Sequence, residues 1–330
     1  MMNIGILGCG RIGQVHARSL AGMNNARVAA VSDAVPEAAD ALAAATGGKA
    51  MTSEAIIADA GIDAVIIGTP TSTHHDLIHE AAAAGKAIFC EKPVDLSADR
   101  TRACIAAVEK AGVPMLVAFN RRFDPNFAHL QSRIEAGDLG DVEMVTILSR
   151  DPSPPPVSYI KQSGGLFRDM MIHDFDMARF LLDEEPVEVF AQGSCLVDPE
   201  IGEAGDVDTA MVTLKTASGK IAQISNSRRA SYGYDQRIEV HGSKALARAD
   251  NLHENSVEIA GASGFTRAPA QHFFLERYAA AYSIEMAHFV NSVTNNILIK
   301  PSGKDGLKAQ LLADAADASC RDGKMYRVGD

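Results

Sequence analysis

The stretch GGLFRDMMIHDFDMARFLL, residues 164–182, carries the side chains best suited to chemistry. Read as a helix, it is apolar around most of its circumference, yet it holds Asp169, His173, Asp174 and Asp176. A buried carboxylate is expensive unless it is paired or hydrogen-bonded. At 100° per residue, Asp169, His173 and Asp176 share a stripe of roughly 60°, while Asp174 points away from it. Asp169 and His173 stand at i and i+4, the spacing of neighbours on a helix. A carboxylate beside an imidazole fixes its tautomer and raises its basicity, which is what a general base requires. The competing reading is structural: Asp169 meets a helix dipole and His173 is a satisfied core histidine.

A second group sits near the N-terminus. Gly8-Cys9-Gly10-Arg11-Ile12-Gly13 follows a strand-like run and opens a helical pattern. In such a loop the first glycine permits a tight turn, the second lets backbone approach a pyrophosphate, and the third lets helix and strand pack closely. Asp33 ends a second strand-like run 20 residues after Gly13, where a carboxylate binds ribose hydroxyls. An acid there repels a 2′-phosphate, and Ala34 and Val35 follow it with no Arg, so NAD is expected rather than NADP.

Glu91-Lys92-Pro93 directly follows the apolar run AIFC. Ligands of open parallel sheets bind beyond the carboxyl ends of the strands, which places Lys92 at the cofactor crevice. His74, His75, Asp76 and His79 follow Gly68-Thr69-Pro70-Thr71, after another strand. His75 and His79 have the spacing of a helical metal pair. No Glu follows the first His, and the sequence offers no obvious third ligand, so no metal is expected. Lining the cofactor crevice is the better role for His74.

These groups need elements to position them. Residues 3–7, 27–32, 64–68, 87–90 and 115–118 read as short buried strands. Helical patterns at 36–45, 73–84 and 97–111 separate them. That alternation predicts a parallel sheet covered on both faces, a Rossmann domain over residues 1–119. Beyond it the pattern changes. A helix at 125–136 and a strand at 142–149 precede the proline-rich loop 151–157. Strand-like runs at 187–196, 208–216, 220–227, 237–241 and 245–248 then predict a large, mainly antiparallel sheet. Helical stretches at 273–295 and 305–320 close the chain. Residues 120–330 are therefore expected to form an α+β domain for substrate and oligomerisation, its last helix packing back on the first domain. The cleft between two such domains is a standard place for a substrate.

Composition narrows the function. With 31 basic and 42 acidic residues the net charge is −11, which argues against nucleic acid or an anionic membrane as partner. No apolar run reaches membrane-spanning length, and MMNIGILGCG lacks a basic leader region. Five cysteines with no C-x-x-C spacing favour a reducing cytoplasm over a disulfide framework.

Taken together, GCGRIG with Asp33, GTPTSTHHD, CEKP, FNRRFDPNF and GGLFRDMMIHDFDMARFLL resemble the glucose–fructose oxidoreductase/inositol dehydrogenase/rhizopine catabolism family along essentially the whole chain. HDFDMARFL is most similar to its inositol dehydrogenase branch. The resemblance implies a catalytic group of Lys92, Asp169 and His173. It implies cofactor contacts from Gly8, Gly10, Arg11, Ile12, Gly13, Asp33, Thr69, Pro70, His74, Glu91 and Lys92. Polyol contacts would fall on Asn120, Arg121, Asp151, Asp176 and one of Tyr232 and Tyr234. Several inositol dehydrogenases that the chain resembles have Met at position 120 and Asn at 151. The implied reaction is NAD-dependent oxidation of a secondary hydroxyl of a cyclic polyol, myo-inositol foremost, in a cytoplasmic homotetramer. Another inositol isomer or an aldose is the alternative substrate. A cofactor-binding sensor without turnover is the non-enzymatic alternative, and it has no need of Lys92 and His173 together.

Overall fold

In a computed structural model, residues 1–329 are described and the chain divides into two compact units. The first comprises Met1–Phe123 and Ala280–Gln310. Its strands are β1 (Met2–Leu7), β2 (Ala26–Ser32), β3 (Lys49–Ala50), β4 (Ala64–Ile67), β5 (Ala87–Cys90) and β6 (Met115–Val117). They form one sheet in the order β3-β2-β1-β4-β5-β6, every pairing parallel. β4, β5 and β6 are buried at every position, which is why they read as unbroken apolar runs. β3 was not expected. It is two exposed residues on the sheet edge, too short to leave a hydrophobic pattern.

The core of this unit joins Ile4, Ile6, Ile66, Phe89 and Leu116 to Met286, Phe289 and Val290 of the Ala279–Asn295 helix. Phe89 and Phe289 meet edge to face at 5.5 Å. The returning segment is also tied by polar contacts: the Val117 N–H donates to the Pro301 carbonyl, and Thr101 donates to Gln310 at 2.7 Å. Chain order reverses between β1 and β4, the topological switch point where an open α/β sheet binds its ligand.

The second unit comprises Asp124–Ala279 and Leu311–Asp330. Its strands are β7 (Val142–Arg150), β8 (Pro186–Ser194), β9 (Thr209–Thr216), β10 (Ile221–Ser227), β11 (Asp235–Gly242), β12 (Leu246–Ala249), β13 (Glu258–Gly261), β14 (Gly264–Arg267) and β15 (Tyr326–Arg327). Seven of them form a sheet in the order β12-β11-β7-β10-β9-β8-β15, with β13 and β14 a separate hairpin. Only the β7–β10 pairing in the large sheet is parallel. Burial alternates along β9 and β10, as it must when one face meets the core and the other does not. The Ile172–Leu182 helix packs on β7 and β10.

One expectation about this unit needs correction. Residues 164–182 are not one helix but two, Gly165–Asp169 and Ile172–Leu182. At the junction the Met171 N–H reaches back to the Leu166 carbonyl at 2.9 Å, five residues rather than four. Such a wide turn shifts the helical phase, so a stripe counted at 100° per residue does not carry from Asp169 to His173.

Glu285, in the Ala279–Asn295 helix, is fully buried, and neither carboxyl oxygen has a hydrogen-bond partner among the described residues. Burial pushes its carboxyl well above the ordinary 4.5, and the charge of Glu91 adds to this. Below that ordinary value the folded and unfolded chains both hold the proton, so there is no ionisation penalty. As pH rises through it, the unfolded chain releases the proton while the folded chain keeps it, so stability falls. Glu285→Gln should therefore raise the melting temperature at pH 7, by about 2–4 °C for each kcal/mol recovered. The gain should shrink toward zero near pH 4; a pH-independent gain in thermal melts would contradict the assignment.

Candidate active site

The glycine loop is built around contacts that no side chain could share. Gly8 ends β1 with φ +99°, and a Cβ there would lie 2.6 Å from the Gly68 carbonyl oxygen, at the end of β4. A Cβ on Gly13 would lie 1.9 Å from the Gly8 carbonyl oxygen. A Cβ on Gly10 would meet nothing within 4 Å. Gly10 caps the Arg11–Ala21 helix with no side-chain bond of its own, which leaves the helix N-terminus to a ligand. Two glycines thus close the turn, and the third keeps the approach to the N–H groups open, as a pyrophosphate requires. Asp33 is fixed beside it: Oδ2 accepts the Cys9 N–H at 2.7 Å and Oδ1 accepts the Val35 N–H at 2.8 Å. A carboxylate has about four acceptor sites, so ribose hydroxyls have room to bind it. These residues fit a dinucleotide, held with its pyrophosphate at the helix N-terminus and a ribose at Asp33.

The ends of β4 and β5 carry the other cofactor candidates of this unit. Thr69 and Pro70 follow β4, while Glu91 and Lys92 follow β5. His74 is buried, with Nδ1 2.9 Å from the Pro93 carbonyl and Nε2 2.9 Å from the Thr69 carbonyl. Burial pulls its pKa down against those two acceptors. Its imidazole holds the Thr69 and Pro93 turns together. Sequence reasoning passed over His16, which is wholly buried with Nε2 2.8 Å from Glu91 Oε1. Glu91 Oε2 accepts the Lys92 N–H at 3.3 Å. His16 thereby links the glycine-loop helix to the lysine turn. A polar residue among the buried Val15, Ala17 and Leu20 was the available signal. Asn120 and Arg121 lie buried in a 3₁₀ turn just after β6.

In the second unit the acids are held by arginine. Asp169 accepts the Tyr159 hydroxyl at 2.9 Å and Arg228 Nη2 at 3.3 Å. Arg228 Nη1 lies 4.0 Å from Asp151. Arg228 is 1% exposed at the end of β10, so it spans both carboxylates from inside. Asp206 accepts the Leu166 N–H, and burial pushes its carboxyl upward despite that bond and the Arg228 charge. Neither Arg228 nor Tyr159 was singled out from sequence, because their partners are 59 and 10 residues away. Asp176 is buried and ion-paired with Arg179 at 3.3 Å; Arg179 also grips Glu185 at 2.7 and 2.9 Å. Asp174 faces elsewhere, as expected, accepting the Asn226 amide at 2.9 Å. Of the tyrosines, Tyr234 is buried edge to face on Tyr278. Tyr232 is half exposed, its hydroxyl donating to Asp235 at 2.6 Å.

Residues 2–119 match the family described as "Oxidoreductase family, NAD-binding Rossmann fold", and residues 127–248 match the "GFO/IDH/MocA C-terminal domain". The chain belongs to the GFO/IDH/MocA oxidoreductase family. It is 56% identical, over 99% of both chains, to a protein of Rhizobium meliloti named inositol 2-dehydrogenase. A solved myo-inositol dehydrogenase from Corynebacterium glutamicum superposes with a TM-score of 0.96, at 40% identity, covering 100% of this chain and 99% of that one. A scyllo-inositol dehydrogenase from Lactobacillus casei, solved with bound NAD(H) and scyllo-inositol, is 29% identical with a TM-score of 0.93 over 100% of both chains. This member of the family is an NAD-dependent oxidoreductase.

The different surroundings of the glycines give a paired test. Gly10→Ala should leave the melting temperature nearly unchanged and weaken NAD binding at least about tenfold, its methyl blocking the pyrophosphate's approach. Gly13→Ala should instead unfold or strongly destabilise the protein, because backbone must move to admit the methyl. Titration calorimetry with NAD and thermal melts separate the two; tight NAD binding by Gly10→Ala would remove the loop from the cofactor site.

Proposed function

We propose that the chain oxidises a secondary hydroxyl of a cyclitol, converting myo-inositol to 2-keto-myo-inositol with NAD as acceptor. The observation that carries this reading is the full-length 56% identity to a protein named inositol 2-dehydrogenase. The charge pattern supports it: Asp151, Asp169 and Asp176 engage Arg228 and Arg179, which are then not free to clamp a carboxylate or phosphate, and the acids suit hydroxyl donors. When bound, NAD supplies the hydride acceptor for the ring carbon. His173 takes the hydroxyl proton on its imidazole. Asp169, steadied by Tyr159 and Arg228, supports the imidazolium that results. Lys92 donates a hydrogen bond to the reacting oxygen and favours its alkoxide character. Asn120, Arg121, Asp151, Asp176 and Tyr232 are the proposed polyol contacts, Tyr232 being the more exposed of the two tyrosines.

We further propose a cytoplasmic homotetramer assembled through the uncovered face of the large sheet. Met144, Phe190, Met211, Ile221 and Leu246 stand exposed on five of its strands, an apolar set that a partner copy would cover. The five cysteines are free, as a reducing compartment allows. A Met144→Glu/Met211→Glu double variant should sediment as a smaller species; an unchanged mass would place the interface elsewhere.

His173→Ala and Lys92→Ala should each lower kcat by about 10²–10⁴ while NAD binding stays near wild type. With wild-type protein the rate of oxidation should climb with pH along a one-proton limb that His173→Ala lacks. Spectrophotometric assays with myo-inositol, scyllo-inositol, D-chiro-inositol, glucose and lactate under NAD measure both rate and preference. Turnover of lactate, or of glucose but no inositol, would overturn the cyclitol assignment while leaving the dehydrogenase intact.

A further inference from the structure

Within the first unit, the His74–Ala83 helix packs against the Ala98–Ala111 helix. His75 and His79 sit one turn apart on the former, ring centroids 4.4 Å from each other. Cys104, fully buried, projects from the latter. One donor atom from each of the three lies within 4.8 Å of the other two. The sequence alone set a metal aside for want of a third ligand. Cys104 offers a third donor, brought in from 25 residues beyond His79 by helix packing.

We propose that His75, His79 and Cys104 form a binding site for a zinc-class divalent metal ion, apart from the residues assigned to polyol oxidation. The donor set is the first argument. Two imidazoles and a thiolate are borderline-soft ligands that favour zinc over magnesium or calcium. The outer contacts are the second. His75 Nδ1 is 2.7 Å from Asp76 Oδ1, the carboxylate support that metal-bound imidazoles ordinarily have. His79 Nε2 is buried without a hydrogen-bond partner among the described residues, so one donor atom is left for a ligand to satisfy.

The geometry is close to closure. Bonds of about 2.0 Å to nitrogen and 2.3 Å to sulfur place these tetrahedral ligand atoms roughly 3.3–3.5 Å apart, within reach of small side-chain rotations. Three protein ligands leave the fourth position to water, or to Asp76 if it turns from His75. Two features oppose binding. Burial and Asp95 push the Cys104 thiol up to about 12, and the Arg100 guanidinium lies 4.0 Å from Asp76. Ionising such a thiol costs affinity. Coordination deprotonates a thiol outright, and zinc sites with imidazole and thiolate ligands have affinity to spare for that cost.

The test is cobalt spectroscopy on the full-length, chelator-treated protein. Co²⁺ should produce a thiolate charge-transfer band in the near ultraviolet and the visible bands of a tetrahedral ion, both bleached by one equivalent of Zn²⁺. Cys104→Ser should lose the charge-transfer band. His79→Asn, a change nearer the surface, should weaken cobalt binding at least about tenfold while the melting temperature holds. Zn²⁺ should raise the melting temperature of wild type but of neither variant. Absence of the charge-transfer band from folded wild-type protein would overturn the site, and so would its persistence in Cys104→Ser.

Discussion

The chain's chemistry depends on a crossing of backbone between β1 and β4. Gly8 and Gly68 approach so closely that a single methyl on Gly8 would strike the opposite carbonyl, and Gly13 packs on Gly8 with equal intolerance. The Gly8 N–H donates to the Ser32 carbonyl, and the Gly68 N–H to the Leu7 carbonyl, so three strand ends are joined where the sheet order reverses. The proposed cofactor contacts are placed from that junction. The helix N-terminus follows Gly10, Asp33 is drawn in by the Cys9 N–H, and the Thr69 turn leaves from Gly68. A structure that spent side chains here would close the site; one that left it loose would lose the register of its ligands.

The second unit solves a different problem, that of keeping several carboxylates near one another. Arg228 sits inside and spans Asp169 and Asp151, while Arg179 does the same for Asp176 and Glu185. Removing water makes each of these charges costly, and the buried guanidinium groups make the arrangement tolerable. The same exclusion strengthens any directed interaction with a substrate hydroxyl. In the proposed mechanism Arg228 would act on His173 at one remove, by steadying Asp169.

Much of this was legible in the sequence, for local reasons. The glycine spacing, Asp33 at a strand end and the apolar runs of β4, β5 and β6 each carry their signal within a few residues. The break at Met170–Met171 was not legible, because both methionines are good helix formers and the wide turn is set by packing. The His16–Glu91 and Arg228–Asp169 pairs span 75 and 59 residues and leave no periodicity to read. The approach of Cys104 to His75 and His79 is likewise a product of helix packing. Asp174 shows the opposite case: its angle on the helix was enough to set it apart from Asp176 on the same helix.

The proposed function rests on direct passage of hydride from a ring carbon to NAD. Incubating the protein with NAD and myo-inositol carrying deuterium on the carbon to be oxidised, followed by mass spectrometry of the reduced cofactor, tests it most directly. The account predicts reduced cofactor heavier by one deuterium, with the label retained and the rate lowered relative to unlabelled inositol. Unlabelled reduced cofactor, or no reduction with any inositol isomer, would contradict it.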